Sequence, residues 1–382
     1  MDLLFDDAAQ AFRAEVRAWL ATHVPTEPLP SMDTAEGFEA HRVWEAELAA
    51  DRMSVVSWPA EFGGRDEPLL HWLIFEEEYY RSGAPGRVSQ NGIFLLAPTL
   101  FEHAHPDQLA RIMPRMARAD DIWGQAWSEP EAGSDLASLR STATRTEGGW
   151  LLNGQKTWSS RSSFADLGFG LFRSDPEAQR HRGLTYFMFD LRAPGVTVRP
   201  IAQLDGEAGF AELFLEDVFV PDDAADPGAS GVIGEANNGW KIAMSTAANE
   251  RGLSLRSPGR FLAATDRLVD LWQHTGGGYQ PGVADAWIGS RAYELSTYQT
   301  VSRLASGGQL GMESSINKVF WSQWDIAAHE AALDLLGADA ELETPWLGGY
   351  LFSLSGPIYA GTNEIQRNVI AERLLGLPRG DR

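Results

Sequence analysis

The chain has 382 residues, of which 44% are apolar and 10% aromatic, with a formal charge of −22 and no cysteine. That length and apolar content build one large core or a few smaller ones and exclude a disordered chain, while the negative field disfavours nucleic acid and anionic membrane surfaces as partners. The missing cysteines remove disulfides, thiolate metal sites and a thiol nucleophile together, and no metal site is expected.

The start, Met1-Asp2-Leu3-Leu4-Phe5-Asp6-Asp7, has no basic region, and nowhere do apolar residues run on for the roughly 18 that a membrane span needs. A cytoplasmic protein without a membrane span is expected. Phe5, Phe12, Val16 and Trp19 then recur at helical spacing until Pro25, Pro28 and Pro30 end the pattern. Further helical patterns fill residues 36 to 120, broken at Ser57-Trp58-Pro59-Ala60-Glu61-Phe62-Gly63-Gly64, where proline and paired glycine force a loop.

The texture changes near Trp123. From Thr142 the chain reads as short strands, with a turn at Glu147-Gly148-Gly149 and a two-residue hairpin turn expected at Asn153-Gly154. Phe164 to Phe172, Leu184 to Leu191, Val196 to Ile201 and Ala211 to Pro221 continue as strand-like runs. Helical periodicity returns after Gly239-Trp240, over residues 241 to 271, 283 to 305, 313 to 336 and 363 to 375. The expected fold is therefore mainly α with a central β domain: residues 1–122 helical, 123–232 a compact β domain, 233–382 a helical bundle. Lysine occurs only at Lys156, Lys241 and Lys318 among plentiful arginines, a bias that a GC-rich coding sequence produces without any functional demand.

Two segments stand out for chemistry. Gln125-Ala126-Trp127-Ser128-Glu129-Pro130-Glu131-Ala132-Gly133-Ser134-Asp135-Leu136 joins the helical and β thirds. Its small residues let backbone amides and the Ser128 and Ser134 hydroxyls approach a polar ligand, although a plain domain-crossing turn has the same composition. Gly356-Pro357-Ile358-Tyr359-Ala360-Gly361-Thr362-Asn363-Glu364-Ile365-Gln366-Arg367 feeds a helix that Thr362 could cap. Open N–H groups at a helix start suit an anion or a carbonyl, and an ordinary capped helix reads the same way.

Both segments, in this order, resemble signatures of the acyl-CoA dehydrogenase family. The resemblance runs nearly end to end: the Trp58-Pro59 loop, Ser128-Glu129-Pro130, Ala132-Gly133-Ser134-Asp135, Asn153-Gly154 to Trp158, Gly234-Glu235, Gly239-Trp240, Glu250-Arg251 and Ile358 to Arg367. It implies an N-terminal α-helical domain, a middle β-barrel domain and a C-terminal four-helix bundle, the order that periodicity suggests. It also implies FAD, with the isoalloxazine ring between the middle domain and the bundle. Trp127, Ser128, Trp158 and Ser160 would line that ring, Ser160 standing where the family usually has a threonine. Thr362 and Glu364 would touch the ribityl and diphosphate region, and Ser134 the pantetheine or phosphate part of CoA. Because the surface is acidic, arginines or helix N-termini must reverse the field locally at the CoA phosphates.

Removing hydrogen from the α and β carbons of an acyl-CoA needs a carboxylate base opposite the flavin. Many members place it two residues before the threonine of the C-terminal loop, where this chain has Ala360, which cannot accept a proton. Other members carry the glutamate immediately before a recurring arginine on the first helix of the bundle, and this chain has Glu250-Arg251 there. Glu250 is thus the expected base, with Arg251 beside it, and an apolar pocket would raise its pKa. Ala360 keeps the backbone N–H that polarises the thioester carbonyl in the family. The family's Arg-x-x-Phe-Gly element and its later Phe-Gly-Gly-like turn, which reach the neighbouring subunit's FAD, are absent from the C-terminal third, which holds Gly276-Gly277-Gly278 and Leu335-Leu336-Gly337-Ala338-Asp339 instead. This resembles a bacterial subgroup, some members of which form mixed tetramers. A homo- or hetero-tetramer passing electrons to an electron-transfer flavoprotein is expected; the alternatives are a silent partner subunit and a related flavin oxidase or monooxygenase.

Overall fold

The structure, a computed structural model, describes residues 5–223, 225–251, 257–308, 311 and 313–379, with the backbone alone at 248–251 and 313. In chain order the architecture is helical, then a sheet, then helical. The first helices are α1 (Asp7–His23), α2 (Ala35–Ala50), α3 (Leu69–Arg81), α4 (Ala97–His103) and α5 (Pro106–Ala117). The strands are β1 (Trp123–Ala126), β2 (Thr142–Thr146), β3 (Gly149–Ser160), β4 (Leu167–Arg173), β5 (Leu184–Asp190), β6 (Val196–Ile201) and β7 (Phe210–Pro221). The closing helices are α6 (Gly239–Arg251), α7 (Pro258–His274), α8 (Pro281–Ala305), α9 (Glu313–Leu336), α10 (Pro345–Ser353) and α11 (Asn363–Val369). By contacts the chain divides into two compact units, one of Met1–Thr26, Glu67–Ala84 and Glu250–Arg382, the other of Glu27–Asp66 and Pro85–Asn249.

In the second unit the strands form one sheet in the order β1-β4-β2-β3-β7-β6, with β5 on the free side of β4. β1 and β2 share one edge of β4 end to end: β1 pairs residues 167–170 and β2 meets β4 only at Thr142↔Arg173. The long β3–β7 ribbon shifts register at Leu152/Gly154 and again at Lys156/Ser159, and each bulge bends the ribbon and curls the sheet. Phe172, Phe187, Leu213 and Val220 belong to one core cluster of this unit, all fully or nearly fully buried. Each such side chain contributes about 1.5–3 kcal/mol on burial.

The Glu147-Gly148 turn is where the sequence puts it, with Gly148 at φ +70° and Thr146 paired to Gly149. Asn153-Gly154 is not a hairpin turn. It lies inside β3, where Asn153 exchanges two hydrogen bonds with Asp217 on β7: Asn153 Nδ2 donates to Asp217 Oδ1 (2.9 Å), and Asp217 N donates to Asn153 Oδ1 (3.0 Å). Gly154, at φ +144°, has no room for a Cβ, which would lie 2.2 Å from Ser141 Oγ. A left-handed-tolerant dipeptide serves a bulge as well as a turn.

In the first unit α1 begins at Asp6, whose carboxylate caps Ala9 N at 2.8 Å, and it buries Ala9, Phe12, Val16 and Leu20. The single helical stretch expected over residues 241 to 271 is two helices. Pro258 opens α7, and the residue before a proline is pushed to extended backbone, as Ser257 is at ψ 150°. Phe261, Tyr293, Trp321 and Trp324 of α7, α8 and α9 make that unit's core.

Candidate functional site

The expected site residues fall on both units. In the sheet unit, the segment leaving β1 carries Trp127 and Ser128, both half-buried, and folds back at once through reciprocal Glu129–Ala132 backbone hydrogen bonds of 3.0 Å. A lysine inside the sheet holds this turn. Lys156 on β3 has no solvent exposure; its Nζ donates to Glu129 Oε1 and to the Leu171 carbonyl, both at 2.8 Å, and lies 4.7 Å from the Phe172 ring centre. Glu129 also accepts from Arg140 N (2.6 Å) and Ser141 N (2.9 Å). Burial pushes the Glu129 carboxyl up, but Lys156 and these donors outweigh it and leave it below the ordinary value. The carboxylate is therefore ionised and fully used in structure.

The same clamp brings the turn to the second tryptophan. Thr157 N donates to Ser128 O at 2.9 Å, and the next residue, Trp158, sits in the second bulge of β3 at φ +56°. A bulky residue in the left-handed region is strained, and bulges re-aim side chains. Trp158 is 59% exposed, held edge-on by Phe210 at 6.0 Å. Two residues on, Ser160, half-buried, pairs with Phe210 on β7 and accepts a hydrogen bond on its carbonyl from Asn91 Nδ2 at 3.2 Å. Trp127, Ser128, Trp158 and Ser160 thus come from two stitched segments of one sheet. Ser134 stands apart, exposed in the turn before a short 3-10 helix, beside an Asp135–Arg180 ion pair of 2.7 Å. The β4–β5 loop holding Arg180, His181 and Arg182 lines a cavity of about 490 Å³, a basic element that motif reading missed.

In the other unit, the loop between α10 and α11 carries Ala360 and Thr362. Ala360 and Gly361 are both left-handed, at φ +57° and +81°, which turns the chain sharply into α11. Thr362 caps that helix, its hydroxyl accepting from Ile365 N at 3.3 Å, and Glu364 is exposed in the first turn. A second fully buried lysine holds this loop. Lys318 Nζ on α9 donates to Asn363 Oδ1 at 2.8 Å, Ser322 Oγ donates to the same atom at 3.1 Å, and Asn363 N donates to Pro357 O at 2.8 Å. Tyr359 stacks on Trp321 of the same helix at 5.7 Å.

Glu250 and Arg251 end α6, and their side chains lie outside the described residues. Up to Asn249 the helix belongs to the sheet unit, in which Thr246 is buried against Thr99 at 2.7 Å. Among the described residues, no group of carboxylates and histidines could hold a metal ion, and no helix is long and apolar enough to cross a membrane.

Three family models match the chain in turn: the acyl-CoA dehydrogenase N-terminal domain over residues 6–120, the middle domain over 124–218 and the C-terminal domain over 237–375. Among curated proteins, acyl-CoA dehydrogenase IpdE1 of Mycobacterium tuberculosis is 38% identical over 97% of this chain and 98% of its own length. Among solved structures, the Tcur3481-Tcur3483 steroid ACAD superposes with a TM-score of 0.85 at 26% identity. The ChsE4-ChsE5 complex from Mycobacterium tuberculosis does so with a TM-score of 0.82 at 28% identity, and each match covers 100% of both chains.

Proposed function

Because the chain belongs to the acyl-CoA dehydrogenase family, we propose that it binds FAD and converts an acyl-CoA to its trans-2-enoyl-CoA with Glu250 as base. The observation that carries the cofactor assignment is Trp158. A large aromatic side chain held in strained backbone, braced by Phe210 and left 59% exposed, is built to meet a flat partner. Trp127, Ser128 and Ser160 complete the flavin-ring contacts, and Thr362 and Glu364 those to the ribityl and diphosphate groups. When bound, FAD supplies the acceptor for the β hydride.

The chain's own residues do the rest. The Glu250 carboxylate takes the α proton, and the electron pair left behind becomes the new double bond as the β hydrogen departs with its own pair. Arg251, the next residue, keeps positive charge beside that base. Ala360 offers a backbone N–H to the thioester carbonyl, whose oxygen gains negative charge as the α proton leaves. Ser134, with Arg180 beside it on Asp135 and Arg182 from the same loop as Arg180, serves the CoA phosphates, reversing the acidic surface locally.

The similar structures suggest a substrate and an assembly. One is titled a steroid ACAD, which favours a steroid-derived acyl group here. Both are named as pairs of chains, and this chain lacks the family's usual cross-subunit elements, so a hetero-oligomer with a related subunit is favoured. An electron-transfer flavoprotein is the proposed electron acceptor. The test is incubation of the FAD-loaded chain with straight-chain, branched and steroid-derived acyl-CoAs and an artificial one-electron acceptor. Mass spectrometry should find a product lighter by one hydrogen pair, formed fastest from the steroid thioester and not at all by Glu250→Gln. A colourless chain that acquires flavin only with a homologous subunit would move the reading to a partner subunit, and rapid oxygen consumption would move it to an oxidase.

A further inference from the structure

Four hydrogen bonds cross the sheet unit in one line. Trp127 Nε1 lies 3.0 Å from Tyr186 Oη, which lies 3.3 Å from Thr246 Oγ1. Thr246 Oγ1 lies 2.7 Å from Thr99 Oγ1, which lies 3.2 Å from the Leu95 carbonyl oxygen. Tyr186, Thr246 and Thr99 have no solvent exposure.

The direction of the chain follows from its ends. An indole N–H only donates, a backbone carbonyl only accepts, and each hydroxyl has one proton. A single arrangement gives every link a donor: Trp127 donates to Tyr186, Tyr186 to Thr246, Thr246 to Thr99, and Thr99 to the Leu95 carbonyl. Such a chain polarises along its length, and displacing any member breaks at least one of its hydrogen bonds. Apolar packing alone would tolerate a small slide of one element past another; this chain has one low-energy register.

The elements it joins include the two that carry the proposed flavin contacts and the proposed base. Trp127 belongs to the turn after β1, Tyr186 to β5, Thr246 to α6, Thr99 to α4 and Leu95 to the one-turn π-helix Asn91–Leu96. Ser245 Oγ adds a second tie from α6 to α4, donating to Glu102 Oε2 at 2.6 Å. Glu250 follows Thr246 by one helical turn. We propose that this hydroxyl chain sets the position of α6 against the Trp127–Ser128 turn, making Tyr186 and Thr246 positioning residues for the dehydrogenation. The proposal rests on Glu250 as base and on Trp127 and Ser128 as flavin contacts.

Positioning acts on rate more than on binding, because a displacement of about 1 Å at the reacting groups costs on the order of 100-fold. The test uses the full FAD-loaded chain as wild type, Thr246→Val, Thr246→Ser, Tyr186→Phe and Glu250→Gln. Anaerobic stopped-flow absorbance reads flavin reduction by saturating acyl-CoA, and hydrogen–deuterium exchange reads the α6 amides of residues 241–249. Thr246→Val and Tyr186→Phe should each slow reduction by about 10-fold or more while half-saturation stays within about two-fold, with Thr246→Ser recovering most of the rate. Exchange in α6 should quicken in the same two variants.

A wild-type reduction rate in Thr246→Val and Tyr186→Phe overturns the proposal, whatever the exchange, and so does a Thr246→Ser rate as low as that of valine, which would make methyl packing the cause. If Thr246→Val does not fold, Tyr186→Phe and Thr246→Ser decide. The underlying reading fails separately. If no acyl-CoA reduces wild type, or Glu250→Gln is reduced as fast, that reading falls and the exchange data alone judge the chain: unchanged α6 exchange overturns it, and quickened exchange in both variants supports it.

Discussion

The turn after β1 and the loop before α11 are each gripped by a lysine with no solvent exposure, but the two lysines hold acceptors of different charge. Lys156 meets the Glu129 carboxylate, which two backbone N–H groups also bind; Lys318 meets the Asn363 amide oxygen, which Ser322 also binds. A carboxylate inside a sheet is tolerable only with its counter-charge, whereas an amide oxygen loses one partner and keeps another. The first grip is therefore all-or-none and the second graded. Both give the same lesson: each loop that carries proposed ligand contacts is fixed from its buried side, leaving its outward face available.

The largest break in that comparison is Lys156→Met. It leaves Glu129 charged and buried, and should cost about 3–5 kcal/mol in denaturant unfolding, with FAD affinity falling as the Trp127–Ser128 turn loosens. Adding Glu129→Gln should recover a large part of that loss, because the stranded charge is gone. The pair also sets an acid limit. Glu129 titrates below its ordinary value when folded, so the unfolded chain binds more protons between the two values and stability rises with pH there. The pair's contribution is present above the ordinary carboxylate value of about 4.3 and is lost as pH falls through the lower, folded one. Thermal melts of the double variant should lack that component.

Lys318→Met should cost less, about 1–3 kcal/mol, since the Asn363 amide oxygen is uncharged and keeps its hydrogen bond from Ser322. An equal or larger loss than for Lys156→Met would end the distinction between charged and neutral grips. Thr362→Ala removes one cap from α11 and should cost about 1 kcal/mol, measured by the same melts. Ala360→Gly is the smallest change and has the opposite sign. Relief of the left-handed alanine at φ +57° exceeds the added freedom of the unfolded chain, for a net gain of about 0.5 kcal/mol.

Much of this molecule was readable in its residues. The order of helices, sheet and helices follows from the change of period at Trp123 and back at Gly239, and the Glu147-Gly148 turn from its glycine. Asn153-Gly154 misled because a left-handed dipeptide marks a bulge inside a long strand as readily as a hairpin, and only Asp217, far along the chain, decides which. The stretch from 241 to 271 reads as continuous because the apolar period runs on past Ser257-Pro258, whose proline sets the break. The scarcity of lysine looked like coding bias, yet two of the three lysines are fully buried clamps. A long cationic side chain kept inside where arginine is the habit is itself a signal. Trp158 could be named from its motif, but its exposure arises from a bulge that no local pattern announces. The hydroxyl chain was invisible for the same reason, since Trp127, Tyr186, Thr246 and Thr99 share no spacing.

The central claim is that Glu250, not the position held by Ala360, removes the α proton. Anaerobic titration of the FAD-loaded chain with acyl-CoA, followed by flavin absorbance in wild type, Glu250→Gln and Ala360→Gly, tests it most directly. Bleaching of wild type and Ala360→Gly with none in Glu250→Gln is the predicted result; bleaching of Glu250→Gln at the wild-type rate would contradict it.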